Sequence, residues 1–415
     1  MSGTIHIIGA GLAGLSAAVR LTALARKVVV HEATAFAGGR CRSYHDASVG
    51  MTIDNGNHLL LSGNHAALDY LRSIGAGQRL AGPPSAEFNF ADLSSGERWT
   101  LRFNDGPIPF WVFDPARRVP GTRVLDYLPL ARLLWAPAGK AVGEVIACQG
   151  TLYQRLVEPL IVAALNIDAP DGSARLAGAI VRETLAVGGR ACRPLIAREG
   201  LGTTLIEPAL AHLHARGAAV HTEHQLRSVR FAAERIEALD FGAETIVLGV
   251  DDAVMLAVPP YIAASLVPGL DVPTEFRAIV NAHFRIEPPA AQPPILGVLN
   301  GTVQWLFAFP GRLSVTISAG DRLLDTPREE LAKTIWGEVA RLTGLPPELP
   351  PWQIVRERRA TFAATPAQDA RRPGASTKWR NLVLAGDWTE TGLPATIEGA
   401  IRSGNRAADT IAKQS

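Results

Sequence analysis

The sequence predicts an α/β protein in which a mixed, mainly parallel sheet is interleaved with an α+β part carrying an antiparallel sheet. Three observations predict it. A glycine-rich turn joins a short apolar strand to a helix near residue 10, and a strand, turn and helix of the same texture return after residue 380. Between them, residues 275–320 alternate apolar and polar side chains, as antiparallel strands do. The predicted division is 1–65, 192–265 and 375–415 for the first part, and 66–191 and 266–374 for the second. A chain of 415 residues is long enough for about two domains.

Taken in order, Ile5 to Ile8 reads as a strand. Leu12 to Ala25 reads as a helix with small residues at Ala13, Gly14, Ala17 and Ala18 where it must lie on a sheet, and Val28 to His31 reads as the second strand. A Pro- and Trp-rich stretch of poor periodicity runs from Pro83 to Pro137, and residues 151–190 are mostly helical. Helix is predicted over Leu205–Arg216, strand over Ala219–Phe231 and a buried strand over Ala253–Val258. Leu313, Val315 and Ile317 share one strand face, Arg328–Leu342 is a helix, and strand Leu382–Ala385 leads by a loop to helix Thr396–Ile411.

Composition narrows the classes. Hydrophobic residues make up 47% and charged residues 19%, a globular balance, and a net charge of +2 gives no field for nucleic acid. Cys41, Cys148 and Cys192 are too widely spaced for a disulfide framework or a metal motif, which favours a reducing, cytoplasmic setting. The apolar start runs straight into the glycine turn and reads as a strand rather than a secretory signal. The longest uncharged stretch, Ala253–Leu270, is broken by Pro259-Pro260 and reads as strand, turn and helix rather than a membrane span.

Gly9-Ala10-Gly11-Leu12-Ala13-Gly14 is a complete G-x-G-x-x-G. Gly9 permits the tight turn, Gly11 lets a pyrophosphate approach the backbone, and Gly14 seats the helix on the strand. The free N–H groups of the helix start then face the phosphates. Glu32 ends the second strand, where its carboxylate can accept ribose hydroxyls and would repel a 2′-phosphate. The alternative, a glycine-rich turn with no ligand, is disfavoured by this complete strand–turn–helix–strand context. A Rossmann-type dinucleotide site follows.

Glu32 is followed by Ala33, and then by Gly38-Gly39-Arg40. The spacing resembles the extended E-x5-G-G-R fingerprint of the amine-oxidase and phytoene-desaturase flavoproteins, which implies FAD, with Arg40 facing the pyrophosphate charge. The resemblance also implies that Asp387 of Gly386-Asp387 contacts the ribityl chain, and that the helix start at Thr396 and Ile397 faces the flavin. It further implies that Gly56, Asn57 and His58 pass under the ring and that Leu226 contacts adenine. Amine oxidases of this group carry a lysine opposite the flavin and a tyrosine near the end of the chain; these positions fall at Asn281 and Thr396, so an amine pocket is not expected.

Gly386-Asp387-Trp388-Thr389-Glu390-Thr391-Gly392-Leu393-Pro394-Ala395-Thr396-Ile397-Glu398-Gly399-Ala400 resembles the squalene-associated desaturase-like family, the hydroxysqualene dehydroxylases of hopanoid synthesis. Segments Asn55–Gly63, Pro159–Asn166 and Arg359–Pro366 agree, with Ile161 departing from a cysteine common in that family. The resemblance implies FAD-dependent reduction of hydroxysqualene to squalene. The leaving hydroxide calls for a proton donor. His58 is the candidate, with Asp54 second; the alternatives are that His58 packs or bonds backbone and that Asp54 stabilises its loop. Other readings are a carotenoid-type desaturase and a non-catalytic isoprenoid-binding escort.

The implied substrate is a long-chain isoprenoid loaded from the inner face of the cell membrane, with upstream squalene-pathway enzymes as partners. Phe110, Trp111, Phe113 and Trp135, with Arg117, Arg118, Arg123 and Arg132, are the candidate interfacial patch, or else part of a folded core.

Overall fold

The computed structural model describes residues 3–414. A five-stranded sheet, parallel throughout, has the order Ala219–His221, Lys27–His31, Thr4–Ile8, Ala253–Leu256, Leu382–Leu384. Strand order therefore reverses beside Thr4–Ile8, and a crevice at the carboxyl ends of such strands is where parallel α/β sheets bind ligands. Helices Leu12–Ala23, Glu207–Ala215 and Ile397–Gln414 share one apolar core with one face of this sheet.

Distant parts of the sequence meet because the first helix and Ile397–Gln414 pack closely. A Cβ on Gly404 would stand 2.1 Å from the Ala13 carbonyl oxygen and 2.3 Å from Ser16 Oγ. Only a residue without a side chain fits there. The predicted strand over 219–231 is two short strands in different sheets: Ala219–His221 extends the parallel sheet, and Ser228–Phe231 opens a separate antiparallel three-stranded sheet with Ile236–Asp240 and Thr245–Val247. The intervening residues turn back along Glu32, so continuous β texture did not mean one continuous strand.

A seven-stranded sheet has the order Trp352–Phe362, Phe276–Arg285, Arg312–Ile317, Trp305–Phe309, Ile295–Leu299, Glu87–Asp92, Arg98–Arg102. All its pairs are antiparallel except Ile295–Leu299 with Glu87–Asp92. Leu313, Val315 and Ile317 do share a face, buried against helix Arg328–Thr343. Helices Glu158–Leu165 and Ala174–Glu183 contribute to the core that includes the opposite face.

Candidate active site

The glycine turn lies against the end of the neighbouring strand. Gly9 has φ +109°, donates its amide to His31 O at 2.7 Å, and would place a Cβ 2.5 Å from Ala257 O. A Cβ on Gly14 would lie 2.0 Å from Gly9 O, whereas the corresponding direction at Gly11 is open. Helix Leu12–Ala23 has no side-chain cap and no acidic residue in its first turn, so its first N–H groups and positive dipole end remain for an anion. Glu32 Oε2 accepts the Ala10 amide at 2.9 Å and Oε1 accepts the amide and hydroxyl of Thr34. A carboxylate oxygen has two lone pairs, so Oε1 is filled by Thr34 while Oε2 can still accept a hydroxyl. Ala33 beside it is exposed, and Gly38 donates to Ala10 O at 2.8 Å, folding the Gly38-Gly39 loop over the turn.

Arg40 crosses from this loop to the other end of the sequence. Its Nη2 donates to Asp387 Oδ1 at 2.7 Å and its Nη1 to Ala360 O. Burial opposes the guanidinium charge, but Asp387 more than offsets it, so Arg40 stays protonated. Gly386 donates its amide to Ser403 Oγ at 2.9 Å. Thr396 Oγ1 accepts the Gly399 amide at 3.0 Å, an N-cap for Ile397–Gln414, and Ile397 is buried behind it. The amides of Glu223 and His224 donate to Thr34 O and Glu32 O, which brings buried Leu226 alongside Glu32.

The turn Asn55–His58 is pinned to the seven-stranded sheet. Asn281 Oδ1 accepts the Asn57 amide at 3.4 Å and Thr316 Oγ1–H at 2.8 Å, while Asn281 Nδ2 donates to Asn55 O. Asn57 Nδ2 donates to Thr316 Oγ1 at 3.1 Å. From there one row of directly opposed residues crosses the sheet: Asn281, Thr316, Trp305, Gly297, Phe90, Trp99. The row is polar under the turn and aromatic farther out. Gly297 makes room for the rings: a Cβ there would meet Phe90 at 2.6 Å and Trp305 at 3.4 Å. A cavity of about 820 Å³ borders Trp305 together with Pro159 and Val162.

Uncapped amides at the helix start, a carboxylate at the end of the neighbouring strand, and buried Asp387 paired with exposed Arg40 make a set that fits FAD. The flavin containing amine oxidoreductase family matches residues 12–412. Hydroxysqualene dehydroxylase of Rhodopseudomonas palustris (strain ATCC BAA-98 / CGA009) is 62% identical over 412 residues, covering 99% of each chain. The chain belongs to the hydroxysqualene dehydroxylase family. Its cofactor is FAD. A zeta-carotene desaturase of Synechocystis sp. (strain ATCC 27184 / PCC 6803 / Kazusa) is 22% identical over 491 residues, covering 98% of this chain and 96% of the relative. The structure of cyclohexylamine oxidase from Brevibacterium oxydans IH-35A shares the fold, with TM-score 0.72 and 15% identity over 100% of this chain and 99% of that one.

In this hydroxysqualene dehydroxylase family member, the two candidate acids sit differently from each other. Asp54 is engaged: Oδ1 accepts Ser43 Oγ at 2.5 Å and the Leu201 amide at 2.8 Å, and Oδ2 lies 3.6 Å from Arg312. It ties its loop to residue 201 and is 2% exposed. His58 is lowered to about 4 by burial, with Arg40 adding to the shift and Asp54 opposing it. At neutral pH it is an uncharged imidazole, able to donate a hydrogen bond but not storing a proton. The sequence reading missed Ser403, Thr316 and Arg372; Ser403 beside Gly404 was the legible hint, since a polar residue next to a helix-packing glycine faces the neighbouring turn. Trp111, for which the sequence allows an interfacial patch or a folded core, belongs to the core: it is 7% exposed, with Phe103 and Tyr127 packed edge-on at 4.9 and 5.3 Å. Among the described residues no helix is long and apolar enough to cross a membrane.

Proposed function

We propose that this chain catalyses the FAD-dependent reductive dehydroxylation of hydroxysqualene to squalene in hopanoid synthesis. The full-length 62% identity to an enzyme of that name carries the reading. The polar-to-aromatic row across the substrate-side sheet supports it independently, because a long hydrocarbon with one hydroxyl needs just such a surface. The carbon–oxygen bond breaks, the oxygen leaves as water with one added proton, and a hydride takes its place. FAD, when bound in reduced form, supplies the hydride.

The chain's own residues bind, orient and dry the site. Gly11, Leu12, Ala13 and Gly14 offer backbone N–H groups to the pyrophosphate, while Gly9 and Ala10, whose amides are held by His31 O and Glu32, shape the turn, with Gly38, Gly39 and Arg40 behind them. Glu32 and Ala33 meet the ribose, Leu226 the adenine, and Asp387, Gly386, Thr396 and Ile397 the ribityl and flavin side. Asn281 and Thr316 hold Gly56, Asn57 and His58 in place. His58 donates a hydrogen bond to the departing oxygen, while Asp54 shapes the loop beneath it. Trp305, which borders the cavity with Phe90 and Trp99 packed behind it, excludes water from the site.

The proposal includes loading from a membrane surface. At ~0.8 kcal/mol per CH₂, a substrate of roughly thirty carbons stays in the bilayer. Ile108, Phe110, Phe113, Leu125, Leu128 and Trp135 are each at least 59% exposed within one short stretch, and Arg123 and Arg132 are exposed among them. Sedimentation with anionic liposomes tests this: Phe113→Ser with Trp135→Ser should release the protein, and unchanged binding removes the patch. The chemistry is tested by incubating the reduced protein anaerobically with hydroxysqualene and with phytoene. Squalene formed in step with flavin reoxidation is expected. Phytoene oxidation by the oxidised protein, with hydroxysqualene untouched, would make it a desaturase.

A further inference from the structure

The segment Asp387–Thr391 belongs to no helix or strand, yet it is largely buried. Its backbone carbonyls therefore need donors from elsewhere. One side chain provides them for Asp387, Trp388 and Thr389, while Arg406 serves Glu390. Arg372, whose side chain is fully buried, donates from Nη2 to Asp387 O at 3.2 Å, Thr389 O at 2.5 Å and Thr391 Oγ1 at 2.9 Å, and from Nε to Trp388 O at 3.4 Å. Its Nη1 meets Asp369 Oδ1 at 3.2 Å, and its guanidinium lies over the Phe362 ring at 4.9 Å. Asp369 is fixed in turn by Arg175 Nε and Nη2 at 3.0 and 2.8 Å and by Ser173 Oγ at 3.1 Å.

We infer that Arg372 is a positioning residue for the FAD site: it holds Asp387–Thr391 in the backbone shape that presents the Asp387 carboxylate to the crevice. Arg372 holds the Asp387 carbonyl while the Asp387 side chain reaches Arg40. A lysine could not replace it, because a single ammonium offers three donors from one point where this pocket needs a planar fork. Burying such a charge is unfavourable unless its donors are met, and here the acceptors are mainly the carbonyls of the loop itself. The inference rests on Asp387 facing the cofactor, and no substrate enters its test.

The full-length protein is stripped of FAD and retitrated, and its melting is followed with and without saturating FAD, for wild type, Arg372→Lys, Arg372→Ala and Thr391→Val. Lost charge-assisted hydrogen bonds should weaken FAD binding on the order of tenfold in Arg372→Lys. The gap between the FAD-loaded and FAD-free melting temperatures should shrink, because that gap reports ligand affinity. Free guanidinium ion, far below denaturing concentrations, should restore FAD binding to Arg372→Ala where sodium chloride of equal ionic strength does not. Should Arg372→Ala fail to fold, Thr391→Val keeps its volume and is expected to bind FAD severalfold more weakly. Equal falls in both melting temperatures with unchanged FAD affinity in Arg372→Lys and Thr391→Val would make Arg372 purely structural and overturn the inference.

Discussion

Substituting Gly404 by alanine tests whether the two ends of the sequence are held together by helix contact. The new Cβ would stand 2.1 Å from the Ala13 carbonyl oxygen, roughly 1.3 Å short of ordinary contact, and that oxygen is backbone and cannot rotate away. Overpacking of this kind costs about 1–3 kcal/mol. Alanine's better helix propensity returns about 1 kcal/mol, so the net loss expected is about 0–2 kcal/mol, at the upper end because the clash is with backbone. The first helix also starts the phosphate-facing turn, so its displacement should weaken FAD binding. Gly337 provides the opposite case: it lies in helix Arg328–Thr343 with no atom within 4 Å of its missing Cβ. Gly337→Ala should therefore stabilise by about 0.5–1 kcal/mol. Urea unfolding of the FAD-free protein reads both as shifts in midpoint at constant slope. Midpoints moving in the same direction by similar amounts would refute the packing argument.

Removing the Arg40 guanidinium leaves Asp387 buried without its partner, so Arg40→Met should weaken FAD binding by about tenfold or more, and Arg40→Lys should recover part of it; equilibrium titration of the stripped protein decides. Burial lowers His31 to about 3, helped by its neighbouring histidines, and burial with Arg312 lowers His283 to about 3. The unfolded chain therefore binds more protons between pH 6.5 and 3, so this stability is complete above pH 6.5 and is lost as pH falls towards 3. Each residue accounts for roughly 2 kcal/mol at pH 5. The urea midpoint should fall less between pH 7 and 5 in His283→Gln than in wild type, and an identical fall would exclude His283 from the effect.

What was legible in the sequence was whatever depends on backbone chemistry at short range. Gly9, Gly11, Gly14 and Glu32 announce their crevice because a tight turn, an open approach, a seated helix and a carboxylate at a strand end each require a particular residue at a fixed spacing. The alternation of Leu313, Val315 and Ile317 likewise follows from strand geometry alone. Contacts made across long sequence separations were hidden. Nothing near Arg372 signals that its fork ends on four residues of another segment, and nothing near Trp111 signals that Phe103 and Tyr127 bury it while Leu125 and Leu128 remain outside. That Asp54 stabilises its loop was open in the sequence, but its partners Ser43, Leu201 and Arg312 were hidden because they come from three separate stretches.

Strand Thr4–Ile8 is synthesised early, yet its neighbour on one side comes from residues 253–256, and the strand beyond that from 382–384. During translation the amino-terminal β-α-β unit must wait for most of the polypeptide to emerge before its open edge is covered. Pairings this remote make folding slow, and the first helix lacks its packing partner until Ile397–Gln414 has left the ribosome. A nascent chain stalled before residue 380 thus has an uncovered strand edge and helix face, and chaperone demand should be greatest just before Leu382–Leu384 arrives.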